Sequence, residues 1–383
     1  MNKLSKLREN NLKDLFKGVI ALKNKIMYVL SLIILNLYIL SSCSYYQASD
    51  VEIDLFKPKI AYELSEKYLG MIRNDNIEGA KSLCTENLLS KNNEITTGTS
   101  KIISYEPEAL IEATSKSAFI TFNVIRNSSS EPKCDLDNFA IKVIKDGEDY
   151  KIDEIKAMNK MQVFVKNDSL RIIGEDGGKS DLIVSLNNMP KDVYLRRNKL
   201  MLYKEKVEAE AFGPVALGYK GKKIAISTTG GNKSFLSIAF IEESKATQGE
   251  STEAKGEEGK TETNLEDILD KPIAKKVVPL DLLDNVKIDN LVFTKEEGFL
   301  IVEYVNSNSI KRIKVYNSED GELVDINFDK EFPEDTYNIS LVNFDKDEFK
   351  ILVSGKLGSK NIKADILGEY TVFIEGKEIK KSI

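Results

Sequence analysis

Few of the side chains in this sequence can do chemistry. The chain has three thiols, at Cys43, Cys84 and Cys134, and contains no His and no Trp. The absence of imidazole excludes Ser-His-Asp and Cys-His catalysis and every His-ligated metal site. Two thiols beyond Cys43 are too few for a structural zinc site. Carboxylates, Lys, Tyr and Ser therefore remain as the candidate chemical groups.

Three segments approach known motifs but fail on spacing. Gly174–Ser180 has three residues where a phosphate-binding loop needs four, and its Glu175 and Asp176 would repel phosphate. Ser227–Ser234 offers hydroxyls and a Lys without the SxxK spacing. Asp345–Glu348 supplies oxygen ligands without the twelve-residue calcium loop. The sequence therefore predicts no catalytic, cofactor-binding or metal-ligating residue, and a protein that is not an enzyme.

Residues 1–42 have the order of an export signal. Seven basic residues against two acidic ones come first, the apolar run Ile26–Leu40 follows, and the small residues Ser41 and Ser42 precede Cys43. The run has 15 residues, and a helix needs roughly 20 to cross a bilayer core. We therefore expect a cleaved signal rather than a permanent transmembrane helix, with an uncleaved signal anchor as the alternative.

The tetrapeptide Leu40-Ser41-Ser42-Cys43 resembles the lipobox of bacterial lipoproteins. In that family the Cys thiol receives a diacylglyceryl group, the signal is cut before the Cys, and the new amino terminus is usually acylated as well. The resemblance implies a signal peptide over 1–42, lipidation such as palmitate at Cys43, and a lipidated tether over 43–56. It also implies location in a bacterial cell envelope, on the periplasmic face or the cell surface. The Lys, Asn, Ile and Glu bias is typical of AT-rich bacteria, including spirochaetes.

Removal of residues 1–42 would leave an acidic chain. The remaining residues include 48 basic and 59 acidic ones, a net charge of −11. Such a chain has no general attraction for nucleic acid phosphates or anionic headgroups. We therefore expect membrane attachment through the lipid on Cys43, and no nucleic acid partner.

Cys84 and Cys134 are the thiols that would remain beside the anchor. In an exported protein they could form one disulfide. Free, buried thiols are the alternative that the sequence leaves open.

Residues 57–158 show helix patterns followed by strand patterns. Apolar periodicity predicts a helix over Pro58–Arg73, and Asp75 is placed to cap a second, shorter helix. Strands follow, and the last two meet at the Asp-Gly turn of residues 145–148, which predicts a hairpin.

Two helices followed by a meander that ends in the hairpin Ile141–Ile155 resemble the NTF2-like (cystatin-like) superfamily. Tyr150 stands where many members have Trp. The resemblance implies an α+β cone whose sheet wraps over the first helix and can leave a pocket at its mouth. Enzymes of the superfamily tend to use Asp with His or Tyr, and no catalyst can be carried over here. We expect a filled cone that serves as an interaction module.

The rest of the chain predicts strands. Short strands and turns indicate a small β domain over 159–242, and strands about every 8 to 12 residues indicate a C-terminal β-sandwich-like domain over 264–383. Residues 243–263 have no apolar side chain larger than Ala after Glu243, and predict a disordered acidic linker. The predicted fold class is α+β: an N-terminal NTF2-like α+β cone followed by two mainly-β domains, each a sandwich or barrel.

These features together predict a lipid-anchored, non-enzymatic cell-envelope lipoprotein that acts as a binding or assembly module. A protein partner in the envelope is expected beside the membrane itself. A small-ligand-binding or hydrolytic NTF2-like pocket protein and a surface adhesin are the alternatives.

Overall fold

Alternating apolar and polar side chains place most of the chain in β-strands. The computed structural model describes Met27 and residues 56–91, 100–128, 130–175, 177–241 and 271–382. Within these residues nineteen strands form five antiparallel sheets, and the four α-helices have between 4 and 16 residues. Phe56–Ile383 form one compact unit.

Three of the helices precede the first strand. The first one begins and ends as predicted, with Pro58 in its first turn, where a missing N–H costs no hydrogen bond. The cap of the second helix is Asn76 and not Asp75, because the Asn76 side chain accepts from the Gly79 N–H at 3.0 Å. The helices are α1 (Pro58–Arg73), α2 (Ile77–Ser82), α3 (Glu86–Lys91) and α4 (Phe328–Glu331).

Sheet 1 is a six-stranded meander in which each strand pairs with the next one along the chain. The predicted Asp-Gly hairpin is confirmed: Asp146 pairs with Asp149, and Gly147 has the positive φ of 66° that this turn requires. The strands are β1 (Ser100–Thr114), β2 (Ser117–Ser128), β3 (Lys133–Asp146), β4 (Asp149–Lys166), β5 (Ser169–Gly174) and β6 (Asp181–Ser185).

A two-stranded ladder and sheet 2 follow. The ladder is β7 (Asp192–Val193) with β8 (Glu205–Lys206). The last two strands of sheet 2 pair antiparallel although residues 242–273 separate them. The predicted linker lies within residues 242–270, outside the described residues. Sheet 2 consists of β9 (Ala211–Leu217), β10 (Lys223–Gly230), β11 (Lys233–Ile241) and β12 (Ala274–Asp284).

Sheets 3 and 4 complete the chain and are again meanders. Sheet 3 consists of β13 (Val286–Phe293), β14 (Phe299–Asn306) and β15 (Lys311–Asn317). Sheet 4 consists of β16 (Tyr337–Phe344), β17 (Glu348–Gly355), β18 (Gly368–Phe373) and β19 (Glu378–Lys381).

Sheets 1 to 4 pack face to face in chain order, with an apolar core between each pair of neighbours. Sheet 2 is buried on both faces, since Ile224 lies in the core shared with sheet 1 and Ala225 in the core shared with sheet 3. Sheet 3 is buried in the same way, with Leu300 towards sheet 2 and Ile301 towards sheet 4. The predicted β-rich, sheet-on-sheet character is confirmed in this coarse form.

The predicted α+β fold with an N-terminal NTF2-like cone is wrong. The described residues are mostly β, and no such cone is present among them. Sheet 1 uses both of its faces, because Val124 packs against the helices while its neighbour Ile125 faces sheet 2. Strand β4 also continues past residue 158 and pairs with β5. The sheet therefore packs against sheet 2 on the face opposite the helices and does not form the wall of a cone.

Candidate functional site

Residues 191–206 concentrate positive charge and exposed apolar surface in one segment. They carry six basic residues against two acidic ones, in a chain whose net charge is −6. Four consecutive large apolar residues, Leu200, Met201, Leu202 and Tyr203, lie near their centre. We refer to residues 194–204, which join β7 to β8, as the basic-apolar loop.

The ends of the basic-apolar loop are fixed by strand pairing and burial. Strands β7 and β8 pair directly below it. Val193, Leu195 and Val207 are buried in the core between sheets 1 and 2. Because side chains alternate along an extended segment, Tyr194 and Arg196 point away from that core.

Arg197 ties the loop to sheet 2 and to β8. Its Nη1 donates to the Asp281 carboxylate, and also to the Leu282 carbonyl oxygen at 2.9 Å. Its Nη2 donates to Glu205 Oε2. The guanidinium plane therefore bridges β12 and β8 through charge-assisted hydrogen bonds.

Asp281 is a buried carboxylate whose two oxygens are both occupied. Oδ1 accepts from the Leu282 N–H at 2.9 Å, besides Arg197. Oδ2 accepts from the Tyr316 hydroxyl at 2.9 Å, and the Lys314 ammonium lies 3.5 Å from it. Burial, together with the Asp281 carboxylate, holds the pKa of Tyr316 well above its usual range, so Tyr316 stays a donor. The base of the loop is thus joined to sheets 2 and 3.

The tip of the loop projects its apolar side chains outwards. Leu200 and Leu202 are each 76% exposed, Tyr203 is 62% exposed and Met201 is 37% exposed. Met201 adopts a left-handed φ of 51°, rare for a residue with a side chain, and its N–H donates to the Asn198 carbonyl at 3.0 Å. This turn reverses the chain, which places successive apolar residues at the surface instead of in the core.

Basic side chains surround the tip. The Lys204 ammonium lies 5.3 Å from the centre of the exposed Tyr194 ring, a cation–π distance. The Lys199 ammonium lies 3.6 Å from Glu322, and both side chains are exposed, so this ion pair contributes little. Arg196 is exposed at the same surface. The loop therefore combines an apolar tip with a cationic rim.

A groove of about 310 Å³ separates the loop from β12. Its walls are mostly apolar, and its charged lining residues are two basic ones and the acidic Asp320. The residues that matter here are Tyr194, Met201, Val277 and Pro279 on the apolar walls, with Arg196 and Lys276 as the cations.

A second depression, of about 290 Å³, is more polar and lies between the β2–β3 turn, β9 and β13. Asn127 donates from Nδ2 to Asn290 Oδ1 at 3.3 Å, and its own Oδ1 has no hydrogen-bond partner among the described residues. Lys133 and Asp289 also line it. The depression could hydrogen-bond a small polar group, and its lining includes both acidic and basic residues.

A cluster of titratable groups joins sheet 1 to the turns of sheets 2 and 3. Glu297 is buried, its Oε1 accepts from the Lys220 N–H at 2.7 Å, and a side chain at Gly218 would collide with its carboxylate. Burial raises the pKa of Glu106, and the Glu297 carboxylate adds to this, while the Glu296 N–H opposes it. Each carboxylate thus receives a backbone donor, and the cluster acts as a connection between layers.

The predicted lipidation residue, Cys43, lies outside the described residues, as do the signal segment apart from Met27 and residues 43–55 of the predicted tether. Cys84 and Cys134 are free thiols. Cys134 is fully buried towards sheet 2, and its Sγ accepts from the Leu217 N–H at 3.3 Å. Cys84 packs with the helices on the other face of sheet 1, and burial raises its pKa to about 11. A bond between the two would have to cross the sheet.

The segments that resembled chemical motifs are turns and strands in the structure. Ser227–Ser234 forms the hairpin between β10 and β11, and Asp345 and Glu348 close the hairpin between β16 and β17. In the described ranges no three acidic or thiol side chains come close enough to hold a metal ion. No helix in those ranges has the length and apolar character of a membrane span.

Sequence reasoning missed the basic-apolar loop. The sequence placed residues 191–206 inside the small β domain predicted over 159–242 and gave them no role of their own. The signal that could have found the loop is the run Leu200–Tyr203, which has neither strand nor helix periodicity and is flanked by Lys199 and Lys204. An apolar run without a buried face is an exposed patch.

Comparison with known proteins leaves the family open. No family model matches the chain, and no curated protein matches it. Among solved structures, similarity is found to a protein named as a 6-phosphogluconolactonase from Bacteroides uniformis (10% identity, 57% of this chain and 53% of that one, TM-score 0.24). A puromycin-hydrolyzing peptidase of Mycobacterium tuberculosis (9%, 73% and 44%, TM-score 0.23) and Hsv2 of Kluyveromyces lactis (10%, 71% and 97%, TM-score 0.26) are also similar. The chain spans about half the length of the first two. At these TM-scores the similarities assign neither a family nor an activity.

Proposed function

We propose that this protein is a lipid-anchored, non-enzymatic component of a bacterial cell envelope that acts as a binding or assembly module. The observation that carries the proposal is Leu40-Ser41-Ser42-Cys43 directly after a basic segment and an apolar run. This order provides a route for export and a thiol for acylation.

The folded part of the chain offers surfaces suited to binding. Neighbouring sheets share apolar cores, and sheets 2 and 3 are buried on both faces, so the four sheets form one well-packed body. The basic-apolar loop stands on that body with an exposed apolar tip. The ligand-pocket alternative depended on the NTF2-like cone and is not retained.

Metabolic labelling tests the anchor. Cells that produce the protein would be grown with radiolabelled palmitate, and label should enter the wild type and not a Cys43→Ala variant. Cys84→Ala is the matched control, since it also removes one thiol and should retain the label. Failure of the wild type to incorporate label, or equal incorporation into Cys43→Ala, would refute the anchor.

Protease treatment of intact cells tests which side of the membrane is reached. Residues 243–263 are rich in Lys and Glu and lie between β11 and β12. Cleavage there in intact cells indicates the cell surface, as an adhesin requires, and protection until the envelope is opened indicates the periplasmic side. Because β11 and β12 pair along their length, we expect the two fragments to stay together in native buffer and to separate in denaturing gels.

A further inference from the structure

We propose that the basic-apolar loop docks on the surface of a membrane that contains anionic lipid, with Leu200, Leu202 and Tyr203 entering the interface. The inference deepens the proposed function by naming a second membrane contact, and it rests on that function for the presence of a membrane nearby. The occupant is a lipid bilayer and not a protein groove.

The exposed apolar tip is the first feature of the loop that suits a lipid bilayer. Leu200, Leu202 and Tyr203 project beyond the loop base, and no described side chain covers them. Large apolar side chains side by side in water carry an unfavourable hydration free energy, which transfer into an apolar environment removes. A projecting tip can enter a deformable bilayer without a preformed cavity. Tyr, with an apolar ring and a polar hydroxyl, favours the headgroup level.

The positive charge that suits anionic lipid headgroups is confined to the loop and its flanks. The chain is acidic, so its overall charge predicts no attraction to anionic headgroups, yet residues 191–206 reverse the sign. Arg196, Lys199 and Lys204 lie beside the tip, where they can reach lipid phosphates while the apolar residues lie deeper. Apolar side chains combined with Lys and Arg are what binding at an anionic interface requires.

The rigid base makes the contact efficient. Arg197 is held by Asp281 and Glu205, and Val193 and Leu195 are buried, so the loop is ordered before it meets a membrane. Binding therefore does not have to order the loop, which lowers its entropic cost.

The groove beside the loop combines apolar walls with basic side chains, as the tip of the loop does. Its apolar walls include Val277 and Pro279 of β12, and its charged lining consists of two cations, Arg196 and Lys276, against one carboxylate, Asp320. An apolar wall with positive charge next to it suits an acyl chain and its phosphate. The groove and the tip thus form one continuous surface for lipid.

The chain has no Trp, so a single introduced Trp reports on one position. We would purify the full chain as a Leu202→Trp variant and reconstitute it in phosphatidylcholine–phosphatidylglycerol vesicles that contain lipids with brominated acyl chains. Quenching and a blue shift of the emission are expected. The matched control is Leu357→Trp, because Leu357 is 98% exposed in a turn distant in sequence and should remain unquenched.

Charge reversal tests whether the basic residues of the loop attract it to anionic lipid. Each basic residue near an anionic surface changes association about fivefold. Lys199→Glu combined with Lys204→Glu, in the Leu202→Trp background, should therefore reduce the quenched population more than about tenfold. Lys350→Glu with Lys360→Glu gives the same net charge at other exposed positions and should leave quenching unchanged. Circular dichroism melting would confirm that all variants fold alike.

Each outcome decides the proposal. An unquenched Leu202→Trp emission from protein that floats with the vesicles overturns it, because the tip would then stay in water beside an available anionic bilayer. Equal quenching in pure phosphatidylcholine vesicles overturns the requirement for anionic lipid. Failure of palmitate labelling would refute the anchor alone, because the emission reports only on the loop.

Discussion

The base and the tip of the basic-apolar loop are built on opposite principles. At the base, Asp281 is buried, and every hydrogen-bonding position of its carboxylate is matched by a donor from the loop, β12 or β15. At the tip, a few residues away, Leu200 and Leu202 are mostly exposed. A charge is buried where an apolar residue would be ordinary, and apolar residues are exposed where charges would be ordinary. The difference indicates that the base maintains the position of the loop and that the tip is free to bind.

The largest expected effect is at the base. An Asp281→Ala variant should lose about 2–3 kcal/mol of unfolding free energy, because the buried Tyr316 hydroxyl would lose its acceptor and the partly exposed Arg197 and Lys314 would lose a charged partner. Urea unfolding measures this loss. The control is Asp289→Ala, whose exposed pair with Lys311 should be worth less than about 1 kcal/mol. Equal losses at the two positions would show that the base has no special role.

Alkaline pH should lower the free energy of unfolding by a smaller amount. Burial raises the pKa of Tyr68 and of Tyr304 to about 12 each, and that of Cys84 to about 11, from ordinary values of 10.0 and 9.0. Above about pH 9 the unfolded chain therefore loses protons that the native protein keeps, and unfolding becomes more favourable as pH rises.

Allowing for partial exposure of these groups, the loss should be about 1–2 kcal/mol near pH 10.5. The urea midpoint between about pH 8 and 11 measures it, and tyrosine absorbance should show that Tyr316 ionises only on unfolding. A stability that stays constant over this range would contradict the burial of these groups.

The smallest effect on stability is expected at the tip. Leu202→Ala should change the unfolding free energy by less than about 0.5 kcal/mol, because the side chain is already exposed. The same substitution at the base, Leu195→Ala, should cost about 2–5 kcal/mol, because Leu195 is buried between sheets 1 and 2. Chemical denaturation of the two variants compares them directly. A costly Leu202→Ala would place the tip within the folded core and remove the contrast.

Local signals in the sequence were sufficient for some elements. The helix Pro58–Arg73 was predicted with both ends correct, since its apolar stripe and its Pro lie within one segment. The hairpin at Gly147 was predicted because the turn needs a residue that tolerates positive φ. These elements depend on residues close together in the chain.

Other features depend on partners distant in sequence and were not predictable from local patterns. Pro107 has no N–H to donate and is a strand breaker by local pattern, yet it lies in the single edge strand β1, beside a bulge that tolerates its missing N–H. Residues 323–328 have a strand-like pattern but pass through one bridge to Tyr316 and enter α4. The NTF2-like cone was wrongly predicted for the same reason. No local pattern shows that Ile125 packs against a second sheet.

The candidate site residues show the same difference between features set by local sequence and features set by tertiary contacts. Lipidation at Cys43 was predicted from a linear pattern, a basic segment followed by an apolar run and small residues, and it stays a prediction. The basic-apolar loop was missed because exposure is a tertiary property: Leu195 and Leu200 are the same residue type, and only packing distinguishes the buried one from the exposed one.

The pairing of β11 with β12 has a consequence for how this sequence can change over time. Ile241 and Ala274 are ladder partners, so the chain leaves sheet 2 and re-enters it at neighbouring points. The free-energy cost of closing a flexible loop grows only slowly with its length, by roughly 0.6 kcal/mol per doubling. Insertions, deletions or a grafted epitope between these points should therefore leave the stacked sheets intact. This segment is the place where the protein can acquire new sequence at little risk to its fold.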